Sequence, residues 1–505
     1  MAPLIVGQMD NEMCDIGHHD GHMSAIHPSS VPAPVAARWR RRPPELAVAE
    51  ASRTGLRRHL GRLDLTAIGV GSMVGAGIFV TTGVAAATKA GPAIMLSFVL
   101  AGAICMLAAL CYSELAAMVP VSGSAYTYTY ATLGEVVAFI VGWDLLLEFV
   151  VAGSAVAIGW SGMLDATLQD LFGFHLPHAI AAPPSAGGVV NLPAILLLVG
   201  LVAVLVRGVR LTAKAAKWLV GVTIGVLVLV VVVGATDVDP GNWTPFTPFG
   251  GSGIVSGAAL AFFAFLGFDI VATSAEETER PQRDVPFGII ASVAIATVLY
   301  VAVSGVLTGL APYTTLNNPA PVATALSAAG SPWITHVILV GSVVALTKGA
   351  LMIFYGQTRL LFAMSRDRLL PEGLSHTDPR TGTPNRATVV LAILAIAIAG
   401  FLSIDTVAEL VNVGALFAFS LVAIGVLVLR VLEPDRERPF RTPLVPLVPL
   451  LAIGGCVWLA TTLAGLTWVR FLVWMAIGLA IYLLYGRSRS TLVARRPVPV
   501  PDAPR

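Results

Sequence analysis

The sequence predicts an all-α integral membrane protein with twelve transmembrane helices, and three observations carry that expectation. Hydrophobic residues make up 56% of the 505-residue chain and charged residues only 12%, with a mean hydropathy of +0.82. Soluble domains carry roughly twice that share of charge, so this composition cannot furnish a polar skin around a globular core, and the solvent of the apolar surface is lipid. From Leu63 onward, apolar runs of membrane-spanning length alternate with short polar breaks. Arginines and lysines concentrate in every second break, as cytoplasmic loops require.

In chain order, residues 1–60 are rich in Pro, Ala and Arg, lack sustained apolar periodicity and hold no cleavable signal sequence; they read as a disordered, basic cytoplasmic tail. Cys14, His18, His19, His22 and His27 cluster there, but a disordered tract offers no preorganised geometry, and no metal or cofactor is expected. The other cysteines, Cys105, Cys111 and Cys456, are scattered without metal or disulfide spacing. The membrane domain is placed at 61–486, with spans near 64–89, 93–118, 134–161, 190–206, 215–235, 253–273, 286–310, 334–363, 387–403, 407–431, 444–466 and 470–485. Residues 487–505, Pro-rich from Val498, form a second cytoplasmic tail.

The charges test that count. Arg57, Arg58 and Arg62 precede the first span, and Arg207, Arg210, Lys214 and Lys217 lie between the fourth and fifth. Arg280 and Arg283 follow the sixth, Arg366 to Arg386 the eighth, Arg436, Arg438 and Arg441 the tenth, and Arg487 to Arg496 the twelfth. The opposite loops hold only Lys89 and Arg470. Both termini are therefore expected in the cytoplasm, with the chain in the plasma (inner) membrane. Basic flanks beside a membrane reflect topology and attraction to anionic lipid, so membrane lipid is a partner and nucleic acid is not.

Two spans carry glycine where a plain lipid-facing helix would not. The first holds Gly69, Gly71, Gly75 and Gly77. Small residues at four-residue spacing let helices pack closely, but glycines at odd spacing also ease unwinding, and free amides at membrane depth are tolerated only where they line a cavity or meet a ligand. A half-helix N-terminus there suits a carboxylate. The sixth span sets Phe262, Phe263, Phe265 and Phe268 around Gly267, with Asp269 next to them. Aromatic packing with an Asp capping a broken helix accounts for this too, yet that account also concedes a break, whose carbonyls attract an ammonium. Together the two breaks make a receptor for a zwitterion, and breaks five spans apart are expected of an inverted-repeat transporter.

From about Arg58 to Ser488 the chain resembles the amino acid, polyamine and organocation superfamily, most closely its cationic amino acid transporter branch. The resemblance rests on Gly71–Phe79, Tyr112–Ala116, Gly142–Glu148, Phe263–Asp269, Gly356–Arg359 with Ala363–Asp367, and Arg438–Arg441, in order along the chain. It implies a leucine-transporter-like fold: helices 1–5 (about 64–235), their inverted copy 6–10 (about 253–431), and two trailing helices (about 444–485). It further implies that the substrate carboxylate meets the amides of Ala76 and Gly77 beside Gly75 and Met73. The α-amine would meet the carbonyls of Phe263, Ala264 and Leu266, with Phe268 as an outer gate.

A charge at the bilayer centre costs roughly 2.5–3.5 kcal/mol on insertion scales, so each needs a partner or a purpose. Glu148, Asp269 and Lys348 are the deep ones; Glu114 and Asp144 lie nearer the cytoplasmic ends and read as loop anchors or hydrogen-bond acceptors. In similar sequences a sodium ion sits between the first and eighth spans, held by hydroxyls where this chain has Thr347, Lys348 and Gly349. Proton-coupled bacterial relatives place a lysine from the fifth span there instead, and the corresponding position here is Thr223. The Lys348 ammonium is expected to fill that site against carbonyls freed by the first break, so that its reversible deprotonation couples a proton. The alternatives are a lysine snorkelling to the cytoplasmic side or one paired statically with Glu148.

The reading is thus a secondary active amino acid permease working by alternating access, a proton symporter, with an amino acid/polyamine exchanger without ion coupling as the alternative. Its substrate is a cationic or a small neutral amino acid. A membrane-embedded enzyme would need a His-rich motif, a metalloprotease signature or an intramembrane nucleophile pair; Gly159–Gly162 is no nucleophile elbow. A channel would show a repeated pore loop or filter sequence. Oligomeric state is not legible.

Overall fold

The computed structural model describes Arg41 and residues 59–490, apart from 122–123, 209–212, 319, 329–331, 379 and 382. The basic tail with its His/Cys cluster lies outside the described residues, as does 491–505. All described residues belong to one compact unit, Arg40–Arg505.

The chain opens with α1 (Arg62–Met73), a π-type turn (Gly77–Thr81), and α2 (Thr82–Ala85). Next come α3 (Ile94–Met118), α4 (Ser124–Thr132) and α5 (Glu135–Phe172). Then follow α6 (Leu192–Val206), α7 (Ala213–Gly234), α8 (Gly250–Ala261) and, after an interruption, α9 (Ile270–Thr273). The second half continues with α10 (Pro281–Leu310), α11 (Pro321–Ala328), α12 (Pro332–Arg366), α13 (Asn385–Phe401) and α14 (Ile404–Leu432). Two more, α15 (Leu447–Ala460) and α16 (Gly465–Ile481), close the set. Among the described residues there is no strand, only a single parallel bridge between Leu60 and Thr278.

Seven helical stretches among the described residues are long and apolar enough to cross a membrane: Gly77–Met118, Glu135–Phe172, Gly250–Thr273, Pro281–Leu310, Trp333–Arg366, Thr406–Leu432 and Gly465–Arg489. Four shorter apolar helices accompany them, Leu192–Val206, Trp218–Gly234, Asn385–Phe401 and Leu447–Ala460. The first stretch is interrupted at Gly91, whose φ of +65° ends the helical run. Before Gly77, α1 is only 12 residues long, because the glycine-rich segment stops it at Met73.

Local chemistry sets the ends of the long helices. Asn191 caps α6 by accepting from the Ala194 amide (3.2 Å), with Pro193 in the first turn, where a missing N–H costs nothing. α5 runs 38 residues and stops at Gly173, left-handed at φ +65°, whose amide bonds back to Gln169. α10 starts on Pro281 and carries Asp284 in its first turn.

Polarity is distributed as lipid solvation demands. Leu196, Val298, Leu472 and Leu484 face outward, whereas Glu114, Glu135, Asp144, Glu148, Asp269 and Lys348 are all at most 3% exposed. α5 is the central packing element, lying along α12, α14 and α13, while α3 packs on α10. Outside this core, Trp143 of α5 and Trp474 of α16 stack at 4.5 Å, and each indole N–H donates to the other's carbonyl (2.9 and 3.0 Å). The chain before α1 is tied to the loop after α9, with His59 and Leu60 amides donating to Glu277 and the Glu279 amide to Leu60.

Candidate functional site

Two interrupted helices face each other at the centre of the bundle. In the first, helical bonding ends with the Val74 amide on Val70 (3.0 Å) and is taken up again by Phe79 on Gly75 (3.3 Å). Val74 itself is extended, with ψ 102°. Helix starts leave their first N–H groups without an intrahelical acceptor, so the amides around Ala76 and Gly77 are presented to whatever lies opposite. The Gly77 carbonyl, by contrast, is occupied by the hydroxyls of Thr81 (2.7 Å) and Thr82 (3.1 Å).

In the second, a 3-10 turn (Phe262–Phe265) follows α8, Leu266 is extended, and Gly267 sits at φ +117°, a conformation closed to side chains. The interruptions are in contact. A Cβ on Gly77 would lie 2.3 Å from the Ala264 Cα, and one on Gly267 would lie 2.9 Å from the Ser72 carbonyl carbon. The Ser72 hydroxyl donates to the Gly267 carbonyl at 2.9 Å, joining the two breaks directly.

Between them lies a cavity of about 30 Å³. A water needs about 10–15 Å³ on this measure, so the site has room for a couple of waters. Met73, Gly75, Ala76, Gly77, Phe263 and Leu266, all anticipated from sequence, line it. Ala264 and Phe268 do not. Ala264 backs onto Gly77, and its carbonyl already accepts from the Tyr300 hydroxyl (3.0 Å). Phe268 is buried in an aromatic cluster with Tyr112 (5.6 Å) and Phe419 (4.9 Å).

Gly267, at the break expected in the sixth span, lines it too, but the remaining wall was not anticipated: Ser72 and Ile270 near the breaks, Phe149, Ala152 and Val156 from α5, and Gly349 and Ile353 from α12. Their spacing of three or four residues marks one helix face, but every apolar helix has such a face, and only the fold selects this one. Glu148 is the sole ionisable lining residue, and its Oε2 has no hydrogen-bond partner.

The other deep charges have distinct settings. Lys348, one residue before the lining Gly349, donates from Nζ to the Gly71 carbonyl in the last turn of α1. It is 2% exposed and bonds to backbone, so it neither reaches an aqueous surface nor pairs with Glu148. Thr223 is buried on α7 with its hydroxyl on Leu219 (2.8 Å), while its neighbour Val220 packs against Gly71. Asp269 accepts from Ser124 (2.9 Å), whose hydroxyl also bonds the Tyr112 phenol. Glu114 takes both Arg430 nitrogens (2.9 Å each) and the Thr442 amide (2.8 Å), with Arg438 at 3.2 Å.

A bundle of apolar helices in which two interrupted helices and their neighbours line a small central cavity has the architecture of a membrane carrier. The chain belongs to the amino acid permease family: the family model described as "Amino acid permease" matches residues 60–484. It is 45% identical over 460 residues to a Bacillus subtilis protein named methylthioribose transporter, covering 91% of this chain and 100% of that one. It is also 45% identical over 453 residues to the branched-chain amino acid permease BcaP of the same organism, covering 89% and 97%. A vacuolar cationic amino acid transporter 4 of Arabidopsis thaliana is 38% identical over 390 residues, covering 75% of this chain and 64% of that longer one. The chain is thus a multi-pass permease near the cationic amino acid transporter branch, and its named relatives are transporters, not enzymes.

Proposed function

We propose that this protein is a secondary active transporter of a small neutral amino acid, working by alternating access and driven by protons. The observation that carries the reading is the small cavity between the two helix interruptions, whose amides and carbonyls suit the two ends of a zwitterion. The substrate carboxylate is assigned to Ala76 and Gly77 beside Gly75 and Met73, and the α-amine to the carbonyls of Phe263 and Leu266. Ala264 contributes through its fit against Gly77 and Phe268 through the aromatic cluster that backs the second break. The apolar wall of Phe149, Ala152, Val156 and Ile353 favours an aliphatic side chain.

The topology proposed with it has twelve spans, the broken first and sixth helices opening two inverted repeats, and two trailing helices. Both termini face the cytoplasm from the plasma membrane, because the basic loops fall on one side. Lys348 occupies the position between the first and eighth spans that an ion would otherwise fill, with its charge on the Gly71 carbonyl at the negative end of α1. Thr223 leaves that position to it, Glu148 carries the proton into the cavity, and Asp269 anchors the inner half of the sixth span through Ser124.

A second reading, a cationic amino acid or a polyhydroxylated thioether, is favoured by the unpartnered Glu148 oxygen and by the names of two relatives. Uptake into proteoliposomes under an imposed pH gradient decides. The panel holds alanine, valine, leucine, lysine, arginine and methylthioribose. Gradient-driven accumulation of the neutral aliphatic members supports the reading; accumulation of only arginine, lysine or methylthioribose replaces it.

A further inference from the structure

Asp144 and Glu114 occupy similar depths and invite the same expectation, a carboxylate satisfied by hydrogen bonds. Glu114 meets it fully. Asp144 does not: it is wholly buried on α5 and neither of its oxygens has a partner. Among the described residues the other buried acids each keep at least one oxygen bonded or open, as Glu135 does with Tyr482 and Asp269 with Ser124. A buried carboxyl group without partners is costly, and a static packing role would be better filled by an apolar side chain.

Its surroundings are arranged for it. Asp144 precedes Glu148 by four residues, so both project from one face of α5, separated by about 6 Å along the axis, a gap that one water spans. Opposite, Gly414 of α14 leaves the volume its carboxyl occupies, since a Cβ there would lie 2.7 Å from Oδ1. Gly142 packs on Met364 and Gly153 on Phe354, so Gln357 of α12 stands at the intervening level, buried, with both ends of its amide unpartnered. Asp144 on α5 and Gln357 on α12 are thus unpartnered polar side chains on two packed helices, and such groups call for water.

We propose that Asp144 is a proton station of the transport cycle, receiving the proton that Glu148 releases from the cavity and passing it toward the cytoplasm. The step is one of acid–base exchange: the Glu148 carboxyl loses its proton through a bridging water, the Asp144 carboxylate gains it, and nothing is oxidised or reduced. The buried cations of the neighbouring helices are engaged elsewhere, Lys348 on Gly71 and Arg430 on Glu114, so neither neutralises Asp144 statically.

The inference rests on proton-driven transport, and the test separates the two. Wild type, Asp144→Asn and Gly414→Ala are reconstituted with a luminal pH dye, and substrate-dependent proton influx is read beside counterflow of labelled substrate. Expected for Asp144→Asn is influx reduced about tenfold or more with counterflow within about threefold of wild type, since the two readouts depend on different steps. Gly414→Ala should lower influx in the same direction by crowding the carboxyl. Wild-type influx in Asp144→Asn, or an equal loss of influx and counterflow in a protein with unchanged thermal stability, overturns the proposal. Should Asp144→Asn not fold, wild-type influx in Gly414→Ala overturns it. Counterflow without any proton influx in the wild type overturns the station but leaves a transporter; no counterflow with any substrate removes the transport reading itself.

Discussion

Lys348 of α12 closes the last turn of α1 by donating its ammonium hydrogen to the Gly71 carbonyl. A helix that stops in mid-membrane leaves carbonyls without partners and concentrates partial negative charge at its end. A buried cation therefore answers both needs at once, and the two helices it ties together belong to opposite halves of the chain. Removing the tie should free α1 to move against α12, which is the motion an alternating-access carrier must control.

Lys348→Thr and Lys348→Arg are accordingly expected to abolish accumulation driven by a pH gradient, by about tenfold or more, while substrate counterflow persists. Paired proteoliposome assays check this. Proton-driven uptake that survives both substitutions sinks the assignment, and so does a sodium requirement in the wild type, because an ammonium and a sodium ion cannot share one position.

Gly77→Ala places a methyl group 2.3 Å from the Ala264 Cα, a contact with backbone that no rotamer change relieves. The two interruptions must separate, and binding that uses both should weaken by about tenfold or more, which corresponds to about 1.4 kcal/mol. Thermal shift with and without saturating substrate separates lost binding from lost folding. Equal ligand-induced shifts in variant and wild type would show that the close approach is not needed.

The membrane class and both interruptions were legible from sequence because each leaves a compositional trace: missing charge in one case, glycine in an apolar run in the other. The wall formed by Ala152, Val156 and Ile353 was not, since residues facing a cavity and residues facing lipid are equally apolar. Phe268 illustrates a second limit. Sequence places it beside the break, but only the fold reveals Tyr112 and Phe419 around it. The contrast between Glu114 and Asp144 is a third, for a carboxylate's partners come from helices hundreds of residues away, as Arg430 does for Glu114.

Glu114 supports a stability prediction. It is 1% exposed and pairs with both Arg430 and Arg438, fixing α3 to α14 and to the loop leading into α15. Removing one partner of a buried ion cluster leaves the others uncompensated and costs about 3–5 kcal/mol. Glu114→Ala should lower the unfolding temperature in detergent and reduce the folded yield, without altering substrate preference among molecules that do fold. A changed preference at unchanged stability would place Glu114 in the transport path instead.

Ala152 offers the sharpest test of which side of the site reads the substrate's side chain. It lines the cavity from α5, between Phe149 and Val156 and across from Ile353, and it is the smallest of the α5 residues on that wall. Enlarging it removes volume where an aliphatic side chain would lie, while the backbone groups proposed for the zwitterion are on the opposite side, in the two interruptions. Ala152→Leu should therefore depress uptake of leucine and valine far more than uptake of alanine. One or two methylenes of lost space are worth about 1–3 kcal/mol in a hydrophobic pocket, or roughly 10–200-fold in discrimination. Competition assays with labelled alanine measure it. If all three amino acids lose affinity by the same factor, the α5 wall does not read the side chain, and the substrate's long axis must run along the helix breaks instead of across them.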